Sequence, residues 1–248
     1  MKRLAQGLVL LVMMWGMAPP AKAACAGVSI TVSKGVLSEP ERSRLASLLR
    51  TAVDKVCGWW GATYSGRLSI DISTEPGPSM ALVPAWRGQR GHMLFRARVV
   101  SMGRAASVHE VTHVFAPNAN RFLAEGLAIY AHERLRGPAA YPNFGRSLHV
   151  AAQPYAPQAD IAALERTATP TRLQGSGLGG REAYLVAGSF VRFLVERHGM
   201  AKFRRLYAMT PMVPGAQNAG SSSRWQAVYG VLLEQLAAQW KQHIAGGG

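Results

Sequence analysis

Hydrophobic positions follow two different rhythms along the chain. Early on they alternate with polar ones. Val28 to Val32 reads as a strand, as does the segment carrying Leu68, Ile70 and Ile72, and His92 to Val100 is a third strand with Arg96 and Arg98 on one solvent-facing side. Residues 81 to 86 offer one or two further short strands, and Thr74 to Ser79, with two prolines and a glycine, reads as a loop. Between the first two strands, Ser38-Glu39-Pro40-Glu41 is a capping box with proline in the first turn. It opens a helix with Leu45, Leu48, Leu49, Val53 and Val56 on one face and Gly58 as its stop.

From Ala105 the apolar spacing becomes helical. Ala105 to Phe115 and Arg121 to Arg136 are two helices joined by a short Pro117-Asn118 turn. Residues 137 to 157, rich in proline and glycine, read as a long loop. Asp160 to Thr167, Arg181 to His198 (closed by Gly199), Ala201 to Met209 and Ser223 to Ile244 read as further helices. Strands first and helices after predict an α+β fold: a small N-terminal mixed sheet lobe packed on a helical C-terminal lobe, with the helix ending at Phe115 between them.

The first residues change the picture of where the chain resides. Met1-Lys2-Arg3 is basic, Leu8 to Met14 is an apolar run, and Pro19-Pro20 precede Ala21-Lys22-Ala23, a small-x-small cleavage site. That is the anatomy of a secretory signal peptide over residues 1–23, leaving 24–248 as one mature domain, periplasmic or secreted. The run is too short for a comfortable bilayer span, which needs about 20 residues. Two cysteines remain, Cys25 and Cys57, and an even count in an exported chain predicts a disulfide.

The formal charge is +15; losing Lys2, Arg3 and Lys22 with a leader that carries no acid leaves +12. The basic residues are scattered and accompany no recognition motif, so specific nucleic-acid binding is not expected. Weak association with an anionic envelope is the better reading of the charge.

The chemistry sits in His109-Glu110-Val111-Thr112-His113. Residues four apart share a helix face, so the two imidazoles point to one place, suited to zinc at about 2.0–2.1 Å. Glu110 is rotated by about 100° and reaches past the ligands toward water. Glu125, on the next helix in Ala124-Glu125-Gly126-Leu127-Ala128, can be brought opposite the histidines by a tight antiparallel turn. Two histidines and one carboxylate leave a coordination position open, as catalytic zinc requires. A blander alternative is that Ser107 and Glu110 form a capping box; it explains neither histidine.

At these residues the chain resembles the gluzincin metallopeptidases, the group that includes thermolysin and aminopeptidase N. It is most similar to small bacterial peptidase MA-like proteins, in which H-E-x-T-H-V is followed by E-G-L-A-x-Y, here His109 to Val114 and Glu125 to Tyr130. Tyr184 to Phe193 and Val228 to Trp240 resemble two later helices of that group. The resemblance implies one zinc per chain on His109, His113 and Glu125, with Glu110 as general base. It also implies an oxyanion donor, for which Tyr184 is the candidate and His149 and His198 are weaker ones. In zincins the strand before the zinc helix is the edge that pairs with extended substrate, a place His92 to Val100 would take. Ile129 stands where thermolysin-like enzymes carry an aspartate behind the ligands, and the aminopeptidase motif Gly-x-Met-Glu-Asn is absent. The expectation is therefore a monomeric endopeptidase acting on peptide or protein substrates. Its competitor is a zinc-containing envelope binding or assembly factor of the same fold that cleaves little.

Overall fold

Among the described residues four strands form one mixed sheet: β1 (Ser29–Val32), β2 (Arg67–Ser73), β3 (Met80–Leu82) and β4 (His92–Arg96), in the order β1-β2-β4-β3. The first two pairings are parallel and β3 runs antiparallel to β4, so β3 and not β4 is the edge beside the helical half. The structure, a computed structural model, describes residues 25, 27–61, 64–83, 88–168, 173, 177–213 and 220–247 of the chain; the leader at 1–23 and the 84–86 end of the suggested extra strand lie outside these.

Helix α1 (Glu39–Trp60) starts where its sequence says it should. The Ser38 N–H and hydroxyl both donate to Glu41, at 2.9 and 2.7 Å, and Pro40 occupies the first turn. It does not stop at Gly58 but runs on to Gly61, whose φ of 111° ends it. The extra turn carries Trp59 and Trp60 onto Tyr130 and Tyr207, with ring centroids 5.9 and 5.2 Å apart. Aromatic burial of this kind outweighs the roughly 1 kcal/mol that a mid-helix glycine costs. Cys57, on the same helix, is bonded to Cys25.

The strand expected over His92 to Val100 ends at Arg96, and Ala97–Ser101 is a short helix, α2. The β-branched Val99-Val100 pair favours extended backbone locally. The helical turn instead buries Val100 and lets the Ser101 hydroxyl donate to Glu41 at 2.6 Å. Helices α3 (Ser107–Phe115) and α4 (Arg121–Arg134) follow as expected.

The segment read as a loop from 137 to 157 contains helix α5 (Leu148–Ala152) and a 3-10 turn (Gln153–Tyr155). Leu148, His149, Ala151 and Ala152 are all buried there, so tertiary packing supplied what local propensity did not. Next come α6 (Ile161–Thr167), α7 (Gly180–His198) and α8 (Met200–Ala208). The last expected helix is two, α9 (Ser223–Tyr229) and α10 (Leu233–Ala245), separated at Gly230 in the left-handed conformation. No helix among the described residues is long and apolar enough to cross a membrane.

Two hydrophobic cores result. One lies between the sheet, α1 and α3, around Leu49, Val53, Ile70, Phe95, Val111 and Phe115. The other lies among the later helices, around Phe122, Leu127, Phe190, Phe193, Trp225 and Trp240. Helix α3 belongs to the first core and α4 chiefly to the second, so the α3–α4 pair is the seam between them.

Buried histidines make this packing sensitive to acid. Burial lowers His132 to about 4, against the raising effect of its 2.6 Å contact with the Pro138 carbonyl. Burial likewise lowers His149 to about 4, and lowers His198. A folded-state pKa below the unfolded value of about 6.5 means the unfolded chain takes protons first. The stability is therefore present above pH 6.5 and is lost as pH falls toward 4. His132 alone should account for about 2–3 kcal/mol, or a midpoint decrease of roughly 4–10 °C between pH 7 and 4.5. Thermal melts across that range test this; repeating them with His113→Ala removes any contribution from metal release. A flat profile would mean the rings are hydrated.

Candidate metal centre

Helix α3 begins with Ala106 as its cap residue, and Ser107 already lies within the helix. Glu110 is thus no capping group. It is buried inside the fold and accepts a hydrogen bond from the backbone N–H of Ala81 on the edge strand β3. Four-residue spacing places His109 and His113 on one face, as the helical repeat requires, with their Nε2 atoms 3.1 Å apart.

The third corner comes from α4. Asn120 caps that helix, its side-chain oxygen accepting from the Leu123 N–H. Gly126, next to Glu125, permits the approach of α7: a Cβ there would lie 2.7 Å from the Ala187 carbonyl and 2.5 Å from a Val191 methyl. Gly188 does the same opposite Ile129, where a Cβ would meet the side chain at 2.7 Å. Ile129 therefore packs in the helical core and has no role behind the ligands.

So positioned, Glu125 Oε2 lies 3.2 Å from His109 Nε2 and 3.4 Å from His113 Nε2. Three ligands about 2.0–2.1 Å from a tetrahedral ion stand about 3.3–3.4 Å from one another. The triangle of edges 3.1, 3.2 and 3.4 Å is close to one face of that tetrahedron. Oε2 is buried and, among the described residues, has no hydrogen-bond partner despite its proximity to the two rings. A buried carboxylate oxygen without a partner is costly, and a cation at the centre of the triangle would satisfy it. His109, Glu110 and His113 also group their donor atoms within 4.8 Å of one another. The residues present therefore fit a divalent ion.

Electrostatics differentiate the two carboxylates. Burial pushes Glu110 up to about 7, and Glu125 adds to the rise, while His109, the Ala81 N–H and Arg121 oppose it. Burial acts on Glu125 in the same direction, but His113 and Arg121, with the His109 ring beside it, hold it well below the usual carboxylate range. One group is poised to exchange a proton near neutrality and the other remains ionised. Such separation of neighbouring carboxyl groups is a recurrent feature of acid–base sites.

Behind Glu125 lies Arg121, which the sequence did not single out. Its Nη2 is 2.6 Å from Glu125 Oε1 and donates to the Tyr184 hydroxyl at 3.1 Å. The signal was present in the chain, since Arg121 and Glu125 are four apart on one helix. Burial and the neighbouring Glu125 raise Tyr184 above its ordinary value, so its hydroxyl remains protonated. With one lone pair engaged by Arg121, the Tyr184 proton is available to another acceptor. His149 and His198 are elsewhere. His149 meets Ser189 at 2.8 Å inside the helical core, and His198 packs on Phe193 and Tyr229.

The chain is similar in fold to an M1 zinc metallopeptidase from Deinococcus radiodurans. The identity is 15% and the TM-score 0.46, over 86% of this chain and 46% of that one. A mutant of that enzyme bound to a Tyr-Ser-Ala substrate aligns at 14% identity and a TM-score of 0.48, over 85% and 47%. A two-domain M1 zinc metallopeptidase mutant bound to L-arginine aligns at 15% and 0.45, over 86% and 46%. The chain thus spans about half the length of these structures. No family model and no curated protein matches it.

Proposed function

We propose that the protein is an exported zinc peptidase that hydrolyses internal peptide bonds, with zinc held by His109, His113 and Glu125. The observation that carries this reading is the triangle of Nε2, Nε2 and Oε2, with the partnerless Oε2 at one corner. When bound, zinc supplies a Lewis acid that polarises the scissile carbonyl and makes water acidic enough to deprotonate near neutral pH. Glu110 takes the proton of the attacking water and returns it to the leaving nitrogen as the C–N bond breaks. Its position near pH 7 suits both halves of that transfer. Tyr184 donates to the oxyanion, with Arg121 fixing its hydroxyl and the rotamer of Glu125. Residues 24–248 form the mature domain, and export is supported by the leader-like start and by the Cys25–Cys57 bond. Action as a monomer and weak attachment to an anionic envelope complete the proposal.

Elemental analysis of protein purified without chelators should find one zinc per chain, absent from His109→Ala and His113→Ala after desalting. Tyr184→Phe should keep its zinc and lose roughly 10²-fold in kcat on a peptide library. Zinc retained by both histidine variants would place the site elsewhere. A zinc-loaded wild type that cleaves no peptide would favour the binding-factor reading.

A further inference from the structure

A cleft of about 530 Å³ opens between the Thr74–Gly77 loop and Tyr141, a ring neighbour of Tyr184, within the size range of ligand-binding sites. One wall is basic. Arg96, Arg98 and Arg104 line it, and among the described residues none of the three has a carboxylate within ion-pair distance. Arg96 is held in place, donating to the Pro78 carbonyl and the Ser73 hydroxyl at 2.9 Å each. It passes so close to Gly77 that a Cβ there would lie 2.8 Å from its Nη2. Among the described residues Glu75 is the one acid in the lining.

The opposite wall is aromatic. Tyr141 and Phe144 are 49% and 51% exposed, unusual for such large rings on adjoining turns of one loop. Phe144 also has a φ of 49°, a conformation disfavoured for a bulky side chain and retained only where surrounding structure enforces it. Here Arg181 enforces it, donating to the Pro142 carbonyl at 3.0 Å and lying 5.7 Å over the Phe144 ring. The rings are thus presented outward on a constrained loop.

Each wall is one contact away from a residue of the candidate metal centre. The Tyr141 ring packs edge-on against Tyr184, with centroids 6.1 Å apart, and Tyr184 shares Arg121 with Glu125. On the other side, Thr74 to Gly77 continue into β3, whose Ala81 N–H binds Glu110. A ligand lying along the free edge of β3 therefore extends from Glu110 toward the arginines.

We propose that this cleft is a substrate subsite selecting acidic peptide segments in which Asp or Glu flanks an apolar residue. Arginine side chains left without protein carboxylates supply planar, bidentate partners for substrate carboxylates. Tyr141 and Phe144 cover the apolar residue between them. The role as a substrate subsite rests on the peptidase reading; affinity for acidic peptides does not.

The test uses the full zinc-loaded chain carrying Glu110→Gln, so that labelled peptides persist during fluorescence anisotropy. A Glu-Leu-Glu peptide should bind at least roughly tenfold tighter than its Gln-Leu-Gln isostere, with the advantage shrinking as salt rises. Arg98→Glu with Arg104→Glu, both at exposed positions, should abolish that preference without altering the circular dichroism or zinc content. Tyr141→Ala with Phe144→Ala should weaken both peptides alike. In the wild-type background, kcat/KM should show the same acidic preference. Hydrolysis without such a preference, unaffected by the arginine changes, overturns the subsite and leaves the peptidase reading intact. Selective binding with no hydrolysis overturns the peptidase reading and leaves the cleft. Tighter binding of single-stranded nucleic acid than of the acidic peptide, lost on the same arginine changes, would also overturn the proposal.

Discussion

Replacing Glu110 by glutamine should leave zinc in place and lower turnover by about 10²–10⁴-fold, the usual worth of positioned proton transfer. Glutamine retains an oxygen to accept the Ala81 N–H, and its neutral side chain suits a buried position where the carboxyl itself is pushed up to about 7. The fold should therefore tolerate the change. The amide cannot take a proton from water at neutral pH, so chemistry alone should fail. Glu125→Gln should do the opposite and release the metal first. It removes the anionic corner of the triangle and leaves Arg121 without the carboxylate it meets at 2.6 Å. Zinc content and kcat, measured on both variants, separate the roles. Loss of metal from Glu110→Gln together with full metal and activity in Glu125→Gln would invert the assignment made here.

A comparable loss, this time of stability, is expected at a site with no part in the chemistry. Arg224 and Glu165 form a buried ion pair, and Glu165 also accepts from the Asn120 side chain, through its carboxylate at 3.0 Å and its backbone carbonyl at 3.1 Å. Asn120 in turn caps α4, five residues before Glu125, and its own N–H donates to Asn118 at 2.8 Å. The Asn118 oxygen also accepts from Thr210, and its amide donates to the Tyr207 carbonyl. The turn between α3 and α4 is thus held by polar groups from three later segments. Arg224→Leu would leave Glu165 charged and buried, at a cost of about 3–5 kcal/mol. Urea unfolding at neutral pH should report that loss, and the double variant Glu165→Leu with Arg224→Leu should recover part of it. Zinc affinity should fall along with stability in Arg224→Leu, because the cap that orients α4 loosens. Loss of less than about 1 kcal/mol would mean that water reaches the pair.

Much of this was legible in order along the chain. The His109–His113 pair depends on helical periodicity within five residues, and α1, α3, α4, α6, α7 and α8 follow from caps and apolar spacing of the same local kind. Glu125 was within reach because a short turn leaves an antiparallel neighbour little freedom. The disulfide followed from having two cysteines in a chain with an export-like start.

Other features depended on partners distant in sequence. Strand β4 ends at Arg96 because Val100 and Ser101 find α1, a contact absent from the local alternation. β3 is the edge because strand order is set by long-range pairing, which a strand's own pattern does not encode. The 137–157 segment hid a short helix that packs against α7. Four-residue spacing puts Arg121 within reach of Glu125, but only the packing of α7 on α4 brought Tyr184 to the same guanidinium. By itself, then, the sequence determined the local helices and the pairing of His109 with His113 on one face, since periodicity and capping act over a few residues. The tertiary structure alone decided the edge strand, the groups packed behind Glu125 and the basic cleft, because each is made by segments brought together only when the two cores close.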